Sequence, residues 1–367
     1  MMKNANKGNP QESLFGISTD AALMHSMLSM PKIDLHRHLT GSIKAATAVR
    51  IAAKYTVKLP TYIISELEDI LYNSRPVNNL KEYFSPWPIL NRLFCSNEAT
   101  RDLIFDTIRD AAEDNVVYLE LRMGPHGFLG NGPFAFEEFV ETVSATVAEA
   151  DKKFGTITRC ILGIPRHVFG SIPFEKRKKM FARMISTISP LRPYCFVGVD
   201  INGDEAAVGA EEFEVFFKIA KENGFKITVH AGECGPASNV QYALEHLNAM
   251  RIGHGLAAAS NPSLLKTLSK RKCALEICPT SNRILGLVSG EAELPLKILR
   301  GHGVPFVVCS DNPARCKTTL SEEIFKIAKT FMLSPSEIRH IVYSSLDHCF
   351  ADPETKERLK LKLDSSV

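Results

Sequence analysis

Eight short apolar runs, separated by segments whose apolar residues recur at helical spacing, set the strongest limit on how this chain can fold. The runs are "KIDLHRH" (32–38), "VVYLELR" (116–122), "TRCILGI" (158–164), "CFVGVDI" (195–201), "FKITVHA" (225–231), "MRIGHG" (250–255), "CALEIC" (273–278) and "PFVVCS" (305–310). Between them, segments such as 137–153, 209–223, 238–249 and 261–271 carry the helical pattern. Strands that alternate with helices pair in parallel through crossovers, and near-continuous apolar strands need cover on both faces. Eight such units predict an α/β fold, a (β/α)₈ TIM-type barrel. The stretch 43–113 is too long for one crossover helix and predicts a helical insertion after the first strand. Residues from Ser334 onward predict C-terminal helices. With no repeat, low-complexity block or linker, the economical division is an N-terminal extension, 1–30, and one barrel domain, 31–367.

Composition narrows the function classes. At 45% hydrophobic residues the chain can afford a large core, and 44 Lys+Arg against 41 Asp+Glu leave a net charge of only +3. No basic stripe interleaved with aromatics is present, so the expectation is a small-molecule protein that binds neither nucleic acid nor membrane. No apolar run is long enough to span a bilayer, and residues 1–30 lack the basic-then-apolar order of a signal peptide, which predicts a soluble, cytoplasmic protein. The nine cysteines are odd in number and form no C-x-x-C pair, so they read as reduced thiols. Cys278, Cys309 and Cys316 read as small buried hydrophobes and are assigned no chemistry.

The polar residues of the runs gather at one end. Each strand stays apolar until its C-terminal end, where His38, His230, His254, Thr280–Asn282 and Asp311 appear. A barrel collects chemistry at that edge because its eight βα loops converge there. On a strand His36 and His38 share a face while Arg37 points to the other. With His230 and Asp311 they supply three imidazoles and a carboxylate from strands one, five and eight, a set suited to one Zn²⁺ with room for a water. Glu233 and His254 remain to serve as the acid and base that hydrolytic chemistry on such an ion needs. Taken singly, each residue has a plainer role: a satisfied core histidine, a helix cap for Glu233, a turn opener for Asp311. Their joint occurrence at one edge is what argues for a site.

The same residues carry a resemblance. From "PKIDLHRHLTGS" through "YLELRMGPH", "VGVDINGDE", "HAGE", "RIGHG", "CPTSN" and "SDNP…TTLSEE", the chain resembles the adenosine deaminase family of metal-dependent amidohydrolases, over most of residues 31–350. The steps of 24 and 81 residues from His230 to His254 and Asp311 fit the family pattern. The resemblance implies one zinc per chain, held by His36, His38, His230 and Asp311. It implies that Glu233 protonates purine N1, that His254 orients and helps deprotonate the attacking water, and that the Gly203 backbone N–H reaches purine N3. Leu80, Tyr83, Phe84 and Trp87 in "LKEYFSPW" match the family's apolar helix over the ribose end of the pocket. The same apolar spacing would also suit any buried helix.

Two positions depart from the family pattern. Asn312 stands where the family commonly has a second acid that bonds purine N7. An amide donates to N7 while neutral, so purine recognition should survive the change. Thr40 stands where adenosine deaminases read His-x-His-Leu-Asp-Gly, with the aspartate on the ribose 5′-hydroxyl. It is neutral, as in the related branch that acts on N6-methyl-AMP, whereas "HAGE" and "RMGPH" look more like adenosine deaminases proper. The first expectation is therefore zinc-dependent hydrolysis of adenosine and 2′-deoxyadenosine to inosine or its deoxy form and ammonia. The alternatives are a deaminase of a 5′-modified or phosphorylated 6-aminopurine nucleoside, such as methylthioadenosine or N6-methyl-AMP, and a catalytically silent purine-binding barrel.

Overall fold

A computed structural model describes residues 11–73, 75–124 and 135–365. All eight expected strands form: β1 (Lys32–His38), β2 (Val116–Met123), β3 (Ile157–Pro165), β4 (Phe196–Asn202), β5 (Lys226–Ala231), β6 (Arg251–His254), β7 (Ala274–Ile277) and β8 (Phe306–Val308). They pair in sequence order, every pair parallel. The ring closes where Asp311, just past β8, meets β1. His38 N–H donates to the Asp311 carbonyl and Asp311 N–H to that of His36, both at 2.7 Å. This is the predicted (β/α)₈ barrel.

The two side-chain parities of each strand have different fates. One set, including Leu35, Leu119, Leu121, Ile252, Leu275 and Ile277, joins the main apolar core and is fully buried. The other set contains Glu120 and Arg122 of β2, Asp200 of β4, Arg251 of β6 and Glu276 of β7. Arg122 bonds both Asp200 and Glu276 although their strands are not neighbours, so this parity must face the barrel interior.

The expected insertion after β1 consists of the helices Ala45–Tyr55, Ile64–Leu71, Leu80–Tyr83, Trp87–Asn91 and Asn97–Glu113. The "LKEYFSPW" segment differs from the single helix its apolar spacing suggests. It breaks into two short helices around Ser85 and Pro86, because proline brings no N–H and disfavours helical geometry in the residue before it. The segment 209–223 likewise divides into a 3₁₀ turn, Ala210–Phe213, and a helix, Glu214–Glu222. At the C-terminus, Pro335–His348 begins with a capping box between Ser334 and Glu337, and Pro353–Asp364 begins with Asp352 accepting from Thr355 N–H. Just beyond the first of these helices, Phe350 stacks under the Arg251 guanidinium at 3.6 Å and stoppers the N-terminal end of the barrel. Among the described residues, no helix is long and apolar enough to cross a membrane.

Candidate active site

The ends of β1 and β5 and the turn after β8 bring four ligand atoms together. His36 Nε2 lies 3.2 Å from His38 Nε2, which is 3.3 Å from His230 Nε2. Asp311 Oδ1 is 3.4 Å from Nε2 of both His36 and His38. These four separations are close to the ~3.3 Å expected between adjacent ligand atoms about 2.0–2.1 Å from one ion, and His36, His38 and His230 group tightly enough to hold one. Asp311 reaches the cluster from a left-handed backbone conformation, φ 57°, and His254 beside it has φ 60°. Such geometry costs roughly 1–2 kcal/mol at a non-glycine residue and tends to collect at functional sites.

Hydrogen bonds behind the cluster decide which ring nitrogens face it. His36 Nδ1 is 2.7 Å from Glu276 Oε2, and His230 Nδ1 is 2.8 Å from Asp200 Oδ2. A carboxylate only accepts, so each Nδ1 carries the hydrogen and each Nε2 presents a lone pair to the centre. Burial, aided by His36, His230 and Arg122, pushes the His38 pKa well below the usual range and leaves that ring neutral. Lone pairs and a carboxylate crowded at these distances repel one another unless a cation lies between them.

Charge in the barrel interior points to a divalent cation. Arg122 donates to Glu276 (2.5 Å), Asp200 (3.2 Å) and the Leu35 carbonyl (2.7 Å), and Arg251 donates to Glu276 (2.6 Å) and to Glu120. With Asp311, this connected network sets four formal carboxylates against two guanidiniums, all almost fully buried. An excess of two negative charges at that depth is costly, and one divalent ion at the four ligands cancels it. His36, His254 and Cys278 also cluster. That grouping shares His36, whose two nitrogens are already committed, so it is no separate site.

Three of the four candidate ligands, His38, His230 and Asp311, form the floor of a cavity of about 480 Å³. On its wall, Glu233 Oε1 lies 3.3 Å from His254 Nε2. Burial, with Asp311, Glu205 and Asp200 adding negative charge, raises the Glu233 pKa well above the ordinary carboxyl range and so favours its protonated form. His254 is shifted well below its usual value, mainly by burial and then by the neighbouring imidazoles. A carboxyl shifted toward its acid form and an imidazole shifted toward its neutral form thus share one wall of the cavity.

Thr40, Tyr83, Phe84, Trp87, Gly203 and Asn312 also line the cavity, whereas Leu80 sits on its short helix away from the lining. Tyr83 reaches deep: its hydroxyl accepts from Asn312 Nδ2 at 2.9 Å and lies 3.4 Å from Ser281 Oγ. Gly41 is needed here, because a Cβ at that position would collide with the Asn312 side chain. Pro125 and His126 of "RMGPH" lie outside the described residues.

Sequence reading assigned no role to Asp200, Glu276, Arg122, Glu205 or Asn282. Asp200 and Glu276 fix the ligand histidines, Arg122 joins those two carboxylates, and Asn282 Nδ2 lies 3.0 Å from His254 Nδ1. A signal existed for the first three. A charged residue inside an apolar run, as in "YLELR", "VGVDI" and "ALEI", must find a buried partner.

Comparison with known proteins places this geometry. Residues 31–366 match the family model described as Adenosine deaminase. An adenosine deaminase of Clostridium botulinum is 33% identical over 332 residues, spanning 90% of this chain and 96% of its own length. An adenine deaminase from Arthrobacter aurescens superposes with a TM-score of 0.81 at 23% identity, covering 92% of this chain and 98% of that one, a likeness of fold. The N6-methyl-AMP deaminase from Arabidopsis thaliana gives 0.79 at 25% identity, covering 93% and 98%. A match running from the first strand to the last helix makes this chain a member of the adenosine deaminase family of hydrolytic deaminases.

Proposed function

We propose that the chain is a zinc-dependent deaminase of adenosine and 2′-deoxyadenosine, releasing ammonia and the corresponding inosine. The observation that carries this reading is the buried Glu233 carboxyl, 3.3 Å from His254, on the wall of a cavity whose floor holds His38, His230 and Asp311. Zinc held by His36, His38, His230 and Asp311 would supply Lewis acidity toward a water. Glu233 gives its proton to purine N1, which withdraws electron density from C6 and opens that carbon to attack. His254 orients the water and takes up its proton. The Gly203 N–H bonds N3 and the Asn312 amide bonds N7, holding the ring with C6 toward the ligands. His254 then gives its proton to the amino group and the C6 hydroxyl proton returns to Glu233, so the C6–N bond breaks, C6=O forms and ammonia leaves. The nine cysteines, all free thiols, suit the reducing cytoplasm in which we place this reaction.

A second reading, a neutral 5′-modified nucleoside such as methylthioadenosine, is favoured by the outer wall of the cavity. Phe84, Trp87 and Pro88 are apolar and Thr40 is uncharged. Among the described lining residues the one guanidinium is Arg122, already bonded to Asp200 and Glu276, so a 5′-phosphate finds no unpaired Lys or Arg there. Ammonia release should be measured with adenosine, 2′-deoxyadenosine, methylthioadenosine, AMP, N6-methyl-AMP and adenine. Turnover of the first two supports the main reading, and added turnover of the third supports the second. Turnover confined to the nucleotides or to adenine overturns both.

A further inference from the structure

We infer that Glu205 is the residue that aims Glu233, a positioning role that rests on the function proposed above. Glu205 lies in the loop after β4, and its carboxylate is buried against the backbone of the loop after β5. Four consecutive N–H groups of that loop converge on it. Gly232 and Glu233 donate at 2.9 Å, Cys234 and Gly235 at 3.1 Å, and Asn239 Nδ2 adds a fifth bond at 2.7 Å. Successive N–H groups turned to one side form an anion-binding concavity. Here the anion belongs to the protein itself.

The sequence makes room for this contact. A Cβ at Gly235 would press into the Glu205 carboxylate and the Asn239 amide, so the close approach requires glycine. Gly232, with φ of 66°, turns the chain at the other end of the concavity. Glu205 does not line the cavity and exchanges no proton with the substrate. Its five charge-assisted bonds instead fix the peptide on either side of Glu233. The swing of the Glu233 side chain is thereby restricted to the wall it shares with His254. A general acid displaced by about 1 Å loses on the order of 10²-fold in rate.

Glu205→Ala leaves a concavity the size of a carboxylate, which added formate can refill. Turnover number, KM, bound metal and melting temperature should be measured for Glu205→Ala with and without formate, beside Glu233→Gln. The expected result is a loss of about 10- to 100-fold in kcat with KM and metal content near those of the parent, and saturable recovery of kcat by formate. Unchanged kcat in Glu205→Ala while Glu233→Gln is inactive overturns this inference alone. Near-normal kcat in Glu233→Gln overturns the reading beneath it. Should Glu205→Ala not fold, Asn239→Ala removes one of the five donors and keeps the carboxylate. A roughly threefold lower kcat at constant KM in that variant supports the inference, and an unchanged kcat overturns it.

Discussion

A carboxyl that gives a proton to a purine nitrogen at neutral pH must first hold one, and an ordinary exposed glutamate does not. Burial and the negative charges of Asp311, Glu205 and Asp200 push Glu233 toward that condition. Glutamine keeps the shape and removes the proton. Glu233→Gln should therefore retain its metal and lose about 10² to 10⁴ in kcat, and His254→Ala should also keep metal while losing turnover. Replacing His230 should lower both, so metal analysis beside an ammonia assay separates the two classes. Near-normal turnover in Glu233→Gln would move the acid to another residue. Thr40 tests selectivity at the same scale. It lines the cavity with no charge, and an aspartate there would repel a 5′-phosphate by about 3 kcal/mol for charges roughly 5 Å apart at an effective dielectric of about 20. Thr40→Asp should lower kcat/KM for AMP and methylthioadenosine relative to adenosine. If those ratios do not move, Thr40 is only part of the turn after the second ligand.

At the scale of the element, the strands were legible because burial on both faces writes them as apolar runs, and all eight appear where those runs lie. The insertion was legible only as helical, since apolar spacing in "LKEYFSPW" cannot show that Pro86 divides it. One helix carries a testable cost. Asp151 lies in the last turn of Phe136–Phe154, where the helix dipole opposes a negative charge. Its Oδ2 accepts from Thr158 N–H at 2.8 Å, but its Oδ1 has no partner, and burial raises its pKa from 3.8 to about 6. A raised carboxyl pKa means the fold favours the protonated form. The penalty is absent below the unfolded value, grows as pH rises between the two, and is complete above about 6. At that shift it amounts to about 2–3 kcal/mol. Asn keeps the acceptor oxygen without the charge, so Asp151→Asn should raise the melting temperature by a few degrees at pH 7.5 and by nothing at pH 4. A gain independent of pH would refute the electrostatic account.

At the scale of the whole molecule, the site joins residues as far apart as His36 and Asp311, and only the fold brings them together. His36, His38, His230 and Asp311 were legible as a candidate set because histidine and aspartate at strand ends are conspicuous, and the fold brings them together. The network beneath them was not, because pairing among Glu120, Arg251, Glu276, Arg122 and Asp200 depends on which parity faces inward. That network links the stopper to the ligands. Phe350 N–H donates to Glu120 at 2.5 Å, and the chain of alternating charge runs from there to His36 and His230. If a divalent ion offsets its two surplus negative charges, as proposed, removing that ion should cost stability as well as activity. Purified protein should hold about one divalent ion per chain. A ligand present at roughly 1,000 times its Kd stabilises by about 4 kcal/mol, so chelation should lower the melting temperature by several degrees and zinc should restore it. Because the ligands bind metal only when deprotonated, the difference between loaded and stripped protein should shrink as pH falls through the histidine range. The comparison reads stability, so it stands whether or not the right substrate has been found. Equal melting temperatures at pH 7.5, or no stoichiometric divalent ion, would mean that the interior balances its charge by taking up protons instead.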